Sequence, residues 1–418
     1  MFIRRGLVTI YRGWLRLSQK KRKKTSNVVS SAAAVTIANN EGIVEEILVR
    51  LPARPLVRFK CVSKRWLSLI SNPKFCDRHT LQNPSSCSVA SAVFSGYSET
   101  KLGFSFIPLD GDGRPSRAPG SRWKPPNLVP NEHDIRIFQS CNGLFLCYLV
   151  KFAYFYVVNP TTNQFLKIIR PTAATTLATG LISYALAFDP SKSPYYKVLC
   201  LRSTDGTAFG SYYHHIEIYS SETRSWRLLD STFHKTPVDY ITPVYCNGAI
   251  HWSGWDAELS YYHMDEERVG WVDSPPFYDH YKYDEGEDAY FFETPGGHLH
   301  LARVYWRCQT KFDVLEMGRN YSGWFVKYHV DLVHDPPIPI PDLLQWEKRT
   351  VLLFLAPDLN ENGGGGEECS SLLLHTPGKV ISYNLKNKTF QSFELTSNHD
   401  SMTVWGGKCR YMETLACV

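Results

Sequence analysis

The side chains of this sequence whose types suit metal chemistry are two close pairs of histidines. His214 adjoins His215, and His298 is followed two positions later by His300. In a β-strand, residues two apart share one face. A structural zinc site needs four ligands, and neither pair has the carboxylate or thiolate partners that would complete the set. We therefore expect both pairs to be structural and no metal ion to be bound.

Residue sets for covalent or cofactor chemistry are also missing from the sequence. The run Gly363–Gly366 lacks the Gly-Lys-Ser/Thr ending of a phosphate-binding loop, so we expect a mobile surface loop there. Neither a Gly-x-Ser-x-Gly elbow nor a His-Glu-x-x-His motif occurs. Cys141 and Cys147 are expected to be small buried hydrophobes. The sequence thus predicts no catalytic residue, no cofactor and no enzymatic activity.

The composition describes a folded protein with one small and one large part. At 418 residues the chain exceeds an ordinary single domain, and its 14% aromatic content favours β structure. The 11 cysteines are scattered and include no Cys-x-x-Cys pair, which fits a reducing intracellular compartment. No apolar run approaches the roughly 20 residues that cross a bilayer, so we expect a soluble protein without membrane contact.

The basic charge of the chain is concentrated at its start. The formal net charge is +6, but residues 1–40 contain nine Lys or Arg and no Asp or Glu, which leaves the remainder near −3. We interpret residues 1–40 as a flexible basic extension and expect no nucleic-acid binding by the folded part. The cluster Lys20–Lys24 is either a solvated tail or a nuclear-localisation signal, and an organelle transit peptide is a further alternative. The expected location is the nucleus, the cytoplasm or both.

A module of residues 41–80 carries the strongest helical pattern. Its first apolar residues recur at i, i+3, i+4 and i+7 and so share one helix face: Val44, Ile47, Leu48 and Leu51. Pro52 is predicted to end this helix and Pro55 to open a second one. Ser63 is predicted to cap a third helix, which Asn72-Pro73 ends.

From residue 87 to 418 short alternating strands separated by turn residues replace the helical pattern. An aromatic residue recurs seven positions after an apolar or aromatic one, which predicts hairpins closed by a packing pair. The four pairs are Val158 with Phe165, Tyr219 with Trp226, Met264 with Trp271, and Tyr383 with Phe390.

Glycines that open strands give the length of the repeat. Their separations of 105, 49 and 110 residues are close to two, one and two units of roughly 50 residues, for Gly143, Gly248, Gly297 and Gly407. Strand-like runs at Tyr196–Leu201 and Thr350–Leu355 lie in the two long gaps, which makes six units.

Six four-stranded units predict a closed β-propeller, in which each blade covers its neighbours and closure protects the sheet edges. Few residues follow Gly407, so the sixth unit must take strands from elsewhere. We predict that Ser88–Leu109 supplies them and pairs with the strand after Gly407. A two-sheet β-sandwich of the same strands is the competing architecture.

The residues of the predicted helices resemble the F-box. The matching stretches are Ile43–Pro52, Leu56–Trp66 and Leu69–Phe75, with Leu-Pro, Arg-Phe-Lys-Cys-Val-Ser and Trp in the typical order. The downstream repeats resemble, more loosely, the F-box-associated, kelch-like domain of a large plant family. The resemblance implies an α+β multidomain protein, with a short three-helix F-box before an all-β, six-bladed, propeller-like domain.

The resemblance also implies a partner, because the F-box binds a Skp-type adaptor and through it a cullin scaffold. A three-helix module of this size cannot bury all its apolar side chains, which leaves some for a partner. Twelve matching positions are expected to divide between the internal core and the adaptor interface. They are Ile43, Val44, Ile47, Leu48, Leu51, Pro52, Leu56, Val57, Phe59, Cys61, Val62 and Trp66.

The implied function is the substrate-recognition subunit of a cullin-RING (SCF-type) ubiquitin ligase whose β-domain binds an unknown target protein. The aromatic stretch Tyr278–Tyr290 is the expected target contact, with a solvated linker as the alternative. The family usually has an apolar-Pro pair where this chain has Asn39-Asn40, which is expected to weaken the adaptor interface. Two alternatives are a protein-binding or decoy propeller with a degenerate F-box, and a propeller enzyme, which would need clustered carboxylates or histidines.

Overall fold

The computed structural model of the protein describes seventeen segments of the chain. They are residues 40–83, 91–95, 104–108, 121–123, 135–149, 154–169, 181–203, 213–234, 243–253, 259–273, 287–294, 297–305, 311–332, 351–357, 369–376, 379–394 and 408–418. The cluster Lys20–Lys24, the run Gly363–Gly366, Gly407 and most of Tyr278–Tyr290 lie outside them. The chain divides into two compact units, Met1–Leu48 and Val49–Val418.

The described part of the first unit contains one helix, α1 (Glu41–Leu48). Asn40 starts it, because its side-chain Oδ1 accepts a hydrogen bond from the Ile43 N–H at 3.2 Å. Val44 and Leu48 are buried, as the helical pattern predicts. The prediction that this helix continues to Leu51 was wrong, because the helix ends at Leu48. Leu51 precedes Pro52, and the residue before a proline is disfavoured in the helical conformation.

The second unit opens with three helices, α2 (Ala53–Phe59), α3 (Lys64–Ile70) and α4 (Pro73–Gln82). The prediction that Pro55 opens α2 was wrong by two residues, and Pro55 sits in the first turn, where a backbone N–H has no helical partner. Ser63 caps α3 as predicted, with its Oγ accepting from the Trp66 N–H at 3.1 Å. None of the helices in the described segments is long and apolar enough to span a membrane.

Helix α4 corrects the prediction of a three-helix module. Asn72 Oδ1 accepts from the Lys74 N–H at 2.9 Å and Pro73 is the first helical residue, so the Asn-Pro pair ends α3 and also begins α4. His79 Nε2 donates to the Leu51 carbonyl at 2.8 Å, and Asn83 Nδ2 donates to the Val49 carbonyl at 2.9 Å. Helix α4 therefore fixes the segment that leads into α2.

The strands of the described segments form six four-stranded antiparallel sheets, which we call blades 1 to 6, counting from the sheet that begins at Ile135. Three early strands share blade 6 with the last strand: β1 (Ser91–Ser95), β2 (Phe104–Pro108), β3 (Ser121–Trp123) and β24 (Lys408–Tyr411). Blade 1 contains β4 (Ile135–Cys141), β5 (Leu144–Leu149), β6 (Tyr154–Asn159) and β7 (Gln164–Ile168). Blade 2 contains β8 (Leu181–Ala187), β9 (Lys197–Ser203), β10 (Tyr213–Ser220) and β11 (Ser225–His234).

The remaining blades each consist of four consecutive strands. Blade 3 contains β12 (Val244–Cys246), β13 (Ala249–Ser253), β14 (Leu259–His263) and β15 (Arg268–Val272). Blade 4 contains β16 (Glu287–Thr294), β17 (His298–Tyr305), β18 (Lys311–Met317) and β19 (Trp324–Asp331). Blade 5 contains β20 (Val351–Pro357), β21 (Cys369–Thr376), β22 (Lys379–Asn384) and β23 (Thr389–Glu394).

The blades form a closed ring around their innermost strands. Strand β4 contacts β8, β8 contacts β12, β12 contacts β16, β16 contacts β20, β20 contacts β24, and β24 contacts β4. Each of these strands lies at one edge of its own sheet, so the ring is a β-propeller and not a two-sheet sandwich. Strand β24 pairs with β1, from Ser91 opposite Tyr411 to Phe94 opposite Lys408. The predicted closure between the two ends of the domain is thereby confirmed.

The hairpin pattern is confirmed in three of its four instances. Val158 faces Phe165, Tyr219 faces Trp226, and Tyr383 faces Phe390 across their strands. Met264 was assigned wrongly, because it lies in the turn and the equivalent pair is Tyr262 with Val269. All four turns have four residues, and the last has a positive φ: Asn163 (61°), Arg224 (52°), Glu267 (50°) and Lys388 (55°).

Two further turns, Cys141–Gly143 and Cys246–Gly248, join neighbouring blades, and we call them the Cys-Asn-Gly turns. Their Asn and Gly residues all have positive φ, which is the two-residue hairpin geometry that Asn-Gly favours. Asn142 Nδ2 donates to the Phe188 carbonyl of blade 2 at 2.7 Å. Asn247 Nδ2 donates to the carbonyl of Gly297, which precedes β17 of blade 4, at 2.6 Å. Each turn therefore binds the following blade.

Gln139 makes a second polar connection between blades 1 and 2. Its Nε2 donates to the Leu186 carbonyl at 2.8 Å, and its Oε1 accepts from the Leu186 N–H at 2.6 Å. The side chain is buried, so both hydrogen bonds are shielded from water. Apolar clusters fill the rest of the seams, for instance Leu146, Val157, Leu186 and Val198 between blades 1 and 2.

We predict that Gly143→Ala destabilises the protein more than Gly248→Ala. Both glycines occupy the same turn position with positive φ, but a Cβ at Gly143 would lie 2.6 Å from the Met412 carbonyl oxygen. A Cβ at Gly248 would lie 3.3 Å from His263 Nε2, a side-chain atom that can move. Urea unfolding should show losses of about 1–2 kcal/mol for Gly248→Ala from backbone strain, and about 2 kcal/mol more for Gly143→Ala. Equal losses of stability in the two variants would contradict the close approach of the Met412 carbonyl to Gly143.

His251 on β13 gives the fold a predictable dependence on pH. The side chain is buried; its Nδ1 lies 3.2 Å from the Val244 carbonyl and its Nε2 lies 2.8 Å from the Tyr321 hydroxyl. Burial lowers the pKa of His251 to about 4. Because the unfolded chain takes up this proton near pH 6.5, stability should fall as the pH drops from 6.5 to 4, by about 3 kcal/mol from this residue.

The His251→Gln variant should therefore lose less stability between pH 7 and pH 4 than the wild type, whatever its stability at pH 7. His329→Gln is the control, since that side chain is 80% exposed. Urea unfolding at four or five pH values measures the difference. If the stability of His251→Gln depends on pH as that of the wild type does, His251 is not the source of the pH dependence.

Candidate functional site

The exposed apolar side chains of helices α2 and α3 form the candidate binding surface of the second unit. Val62, in the link between the helices, is 42% exposed, and Leu67 on α3 is 47% exposed. Phe59 and Trp66 lie beside them, half-buried, with their rings edge to face at 5.5 Å between centroids. Clustered exposed hydrophobic side chains mark surfaces that bind a partner.

A small core supports this surface from within. Leu56, Ile70 and Phe75, one from each of α2, α3 and α4, are almost completely buried. The missed helix α4 is thus needed to complete the core under the surface. Its sequence signal was present, since Asn-Pro is a good N-cap and first-turn pair.

The twelve residues that the sequence assigned jointly to core and interface fall into three groups. Val44, Leu48 and Leu56 are buried. The half-buried members are Ile47, Leu51, Val57, Phe59 and Trp66. The exposed members are Ile43, Pro52, Cys61 and Val62. Leu67 is more exposed than Ile43 and Val62 and was left out of the set, although Ser63 capping α3 places it in the same helix turn as Trp66.

The C-terminal tail, residues 412–418, connects α2 to blade 1 within the second unit. The Arg54 N–H donates to Glu413 Oε2 at 3.2 Å, and Arg54 Nε lies 3.5 Å from Glu413 Oε1. Burial raises the pKa of Glu413, and the Arg54 charge opposes that rise. Asn159 Nδ2 donates to the Thr414 and Ala416 carbonyls at 3.1 and 2.8 Å. The tail is therefore bound on both sides.

Blade 4 contains the charged cluster that the sequence analysis judged incomplete. His298 Nδ1 and His300 Nε2 lie 2.9 and 3.1 Å from the two carboxylate oxygens of Glu316, so the expectation that they lack a carboxylate was wrong. Lys327 also pairs with Glu316. Burial tends to raise the pKa of Glu316, but the hydrogen bonds from His300 and Lys327 outweigh it and lower the pKa to about 2.

This cluster is an ion-pair network in which the ammonium group of Lys327 supplies the positive charge beside the Glu316 carboxylate. Within the described segments, no group of three or more His, Cys, Asp or Glu residues is arranged to hold a metal ion. His214, from the other histidine pair, is buried on β10.

Large apolar side chains are also exposed on the outer strands of the propeller. Leu228 on β11 is 55% exposed, Trp271 on β15 is 52% exposed, and Phe325 on β19 is 49% exposed. Among the strands that the structure describes, each outer strand also has one edge without a neighbour in its sheet. Such rims present both apolar side chains and unpaired backbone groups to a partner.

Two family models match the chain. The F-box domain model matches residues 40–78, and the F-box associated beta propeller domain model matches residues 114–288. The first covers α1 to α3 and part of α4, and the second covers blades 1 to 3. The order of the two matches is the order in which the helices and the propeller occur.

Relatives from Arabidopsis thaliana resemble the chain over much of its length. The F-box protein At5g07610 is 33% identical over 392 residues, covering 88% of this chain and 89% of that protein. The F-box/kelch-repeat protein At3g23880 is 26% identical over 231 residues, covering 52% of this chain and 59% of that protein. The solved structure of YCF48 bound to D1 peptide covers 75% of this chain and 83% of its own, with 10% identity and a TM-score of 0.35. With α1 to α4 followed by a six-bladed ring, this chain belongs to the family of F-box proteins that carry an F-box-associated β-propeller.

Proposed function

We propose that this protein is the substrate-recognition subunit of an SCF-type cullin-RING ubiquitin ligase, in the nucleus, the cytoplasm or both. The F-box helices bind a Skp-type adaptor, and the propeller binds the target protein. Catalysis resides in other subunits. The observation that carries the proposal is the exposed apolar surface of α2 and α3 in a chain of the F-box family.

Val62 and Leu67 are the central adaptor contacts on the second unit. Burying exposed apolar side chains is the main driving force of association, worth about 1.5–3 kcal/mol for each fully buried large side chain. Phe59 and Trp66 brace each other, so this part of the surface is ordered before binding. Ile43 on the exposed side of α1 offers a further contact from the first unit.

The Asn39-Asn40 pair is compatible with adaptor binding in this proposal. Asn40 caps α1 through its side chain, so the helix starts where the motif requires it. Apolar contact is lost at these two positions, but the helical frame that presents Ile43 is kept. The decoy alternative, in which the F-box no longer binds the adaptor, therefore has less support than the ligase subunit.

Target binding is assigned to the propeller because its outer rim exposes Leu228, Trp271 and Phe325 on three successive blades. The hydrogen bonds that Gln139, Asn142 and Asn247 make to neighbouring blades support a rigid propeller. A rigid receptor is suited to hold a target at a fixed distance from the ubiquitin-transferring enzyme.

Replacing Val62 and Leu67 together by Asp should abolish adaptor binding. Two charges placed on an apolar interface remove anchor contacts and add desolvation costs, and we expect a loss of affinity of at least about 100-fold. The fold should survive, since both side chains are exposed. Affinity for a purified plant Skp-type adaptor can be measured by titration calorimetry with the full-length chain.

Leu81→Asp is the matched control for this experiment. Leu81 on α4 is 42% exposed, as Val62 is, but it lies outside the α2–α3 surface. Its substitution should leave the affinity unchanged. Equal binding by the Val62/Leu67 double variant and the wild type, or an equal loss in Leu81→Asp, would refute the assignment. No binding by the wild type would support the decoy alternative.

The same double variant should trap the target in plant cells. It retains the propeller but not the ligase, so the target should co-purify with it in larger amounts than with the wild type. Quantitative mass spectrometry of tagged full-length chains, with and without proteasome inhibition, provides the comparison. Proteasome inhibition should raise the amount of target recovered with the wild type to the amount recovered with the double variant. If no protein responds to either change, the receptor role is wrong.

A further inference from the structure

The C-terminal tail is bound to blade 1 by two turns of that blade. Asn159, at the end of β6, donates to the Thr414 and Ala416 carbonyls, and the Thr414 N–H donates to Thr161 Oγ1 at 3.1 Å. On another side the Cys-Asn-Gly turn lies so close that a Cβ on Gly143 would be 2.8 Å from Thr414 Cγ2. Ala416 is buried in the apolar cluster between blades 1 and 2. The tail is therefore a fixed part of the propeller.

Glu413 extends the contacts of the tail to the F-box helices. Its two carboxylate oxygens contact two groups of Arg54 on α2: Oε2 accepts from the backbone N–H at 3.2 Å, and Oε1 lies 3.5 Å from Nε. That N–H belongs to the first turn of α2, where it has no helical partner, and Pro52 at the N-cap makes no side-chain hydrogen bond to the turn. The Glu413 side chain is only 15% exposed, so water competes weakly for it. Two contacts to one residue fix the direction of α2 as well as its distance from the tail.

Helices α3 and α4 are held together with α2. Leu56, Ile70 and Phe75 contribute one buried side chain from each helix to their common core. His79 Nε2 on α4 lies 2.8 Å from the carbonyl of Leu51, just before α2 begins. Close-packed side chains transmit a displacement of one helix to its neighbours. An orientation that is set where Glu413 meets α2 therefore applies to the whole α2–α3 surface.

We propose that Glu413 is a positioning residue, which fixes the orientation of α2–α4 on blade 1 and thereby decides which lysines the ubiquitin-transferring enzyme can reach. This inference rests on the proposed function as a ligase subunit. The α2–α3 surface attaches the chain to the ligase, and blade 1 belongs to the domain that holds the target. Transfer requires the accepting amine and the charged enzyme to meet in one geometry. A fixed orientation between helices and propeller therefore restricts the lysines that can accept ubiquitin.

The first test measures the orientation contact in the full-length chain alone. Glu413→Ala removes both contacts to Arg54 and leaves the hydrogen bonds between the tail backbone and blade 1 in place. Hydrogen exchange followed by mass spectrometry should show the backbone amides of α2 exchanging faster, by at least about fivefold, with no change in the blades. Affinity for a purified Skp-type adaptor should match that of the wild type, because the α2–α3 surface is unaltered.

The second test uses a reconstituted ligase in which the chain's own lysines serve as ubiquitin acceptors, so the target need not be known. Mass spectrometry of the modified peptides gives the distribution over lysines. In Glu413→Ala the share of the lysine that the wild type prefers should fall at least about twofold, and further lysines should be modified. Arg54→Ala, on the exposed side of the contact, should act in the same direction and serves if Glu413→Ala does not fold. Arg54→Lys keeps the N–H and the charge and should retain the wild-type distribution.

Asp265→Ala is the matched control, because it removes a carboxylate that lies 3.2 Å from Lys192 Nζ and joins blades 2 and 3. It should leave both the exchange of α2 and the distribution of modified lysines as in the wild type. An unchanged exchange or an unchanged distribution in Glu413→Ala overturns the positioning role, and so does an equal change in Asp265→Ala. If the wild type supports no ubiquitin transfer at all, the proposed function itself is overturned, and the role given to Glu413 with it.

Discussion

The antiparallel pairing of β24 with β1 is the interaction on which the rest of the propeller depends. Blade 6 takes three strands from the start of the domain and its innermost strand from the end, so the backbone pairing of these strands joins the two ends of the ring. An open ring would leave blades 5 and 1 with apolar faces uncovered. The tail follows β24 directly, so closure also places Glu413 beside Arg54 on α2. The position of the F-box helices of the second unit thus follows from the closure of the ring.

Polar side chains between the blades, of which Gln139 is buried, set the alignment of the blades. Apolar packing alone tolerates sliding of one sheet over another, whereas a buried amide must meet its partner or lose a hydrogen bond. Gln139, Asn142 and Asn247 each reach a backbone group of the neighbouring blade. Because backbone groups are present whatever the side chain, this kind of link leaves the neighbouring sequence free to vary. That freedom explains why the repeats are weak in sequence and regular in structure.

The sequence predicted the repeat because hairpin turns are encoded locally. Tyr219 and Trp226 are seven residues apart, and a four-residue turn makes them face each other. Met264 satisfied the same spacing by chance, since Tyr262 and Val269, two positions earlier, are also seven residues apart and are the residues that face each other. The Asn72-Pro73 pair was assigned to one helix end although it serves two.

The features that could not be predicted from the sequence depend on contacts between residues that are far apart in the chain. Leu56 is buried and Val62 is exposed, and this difference depends on where α4 packs. Glu316 lies 16 residues from His300, so only the pairing of β17 with β18 makes them neighbours. The surface of the F-box could therefore be located from its motif, while its division into core and interface required the fold.

The circular order of the strands has a consequence for biosynthesis. A ribosome makes β1, β2 and β3 first and β24 last, so five blades leave the exit tunnel while the sixth still lacks its innermost strand. Throughout that time the nascent chain exposes an open arc with two uncovered ends, which is the kind of intermediate that chaperones bind. A truncation before Lys408 would leave the chain permanently in that state. Degradation of the truncated product by quality control would then remove the protein, even though its F-box had been synthesised intact.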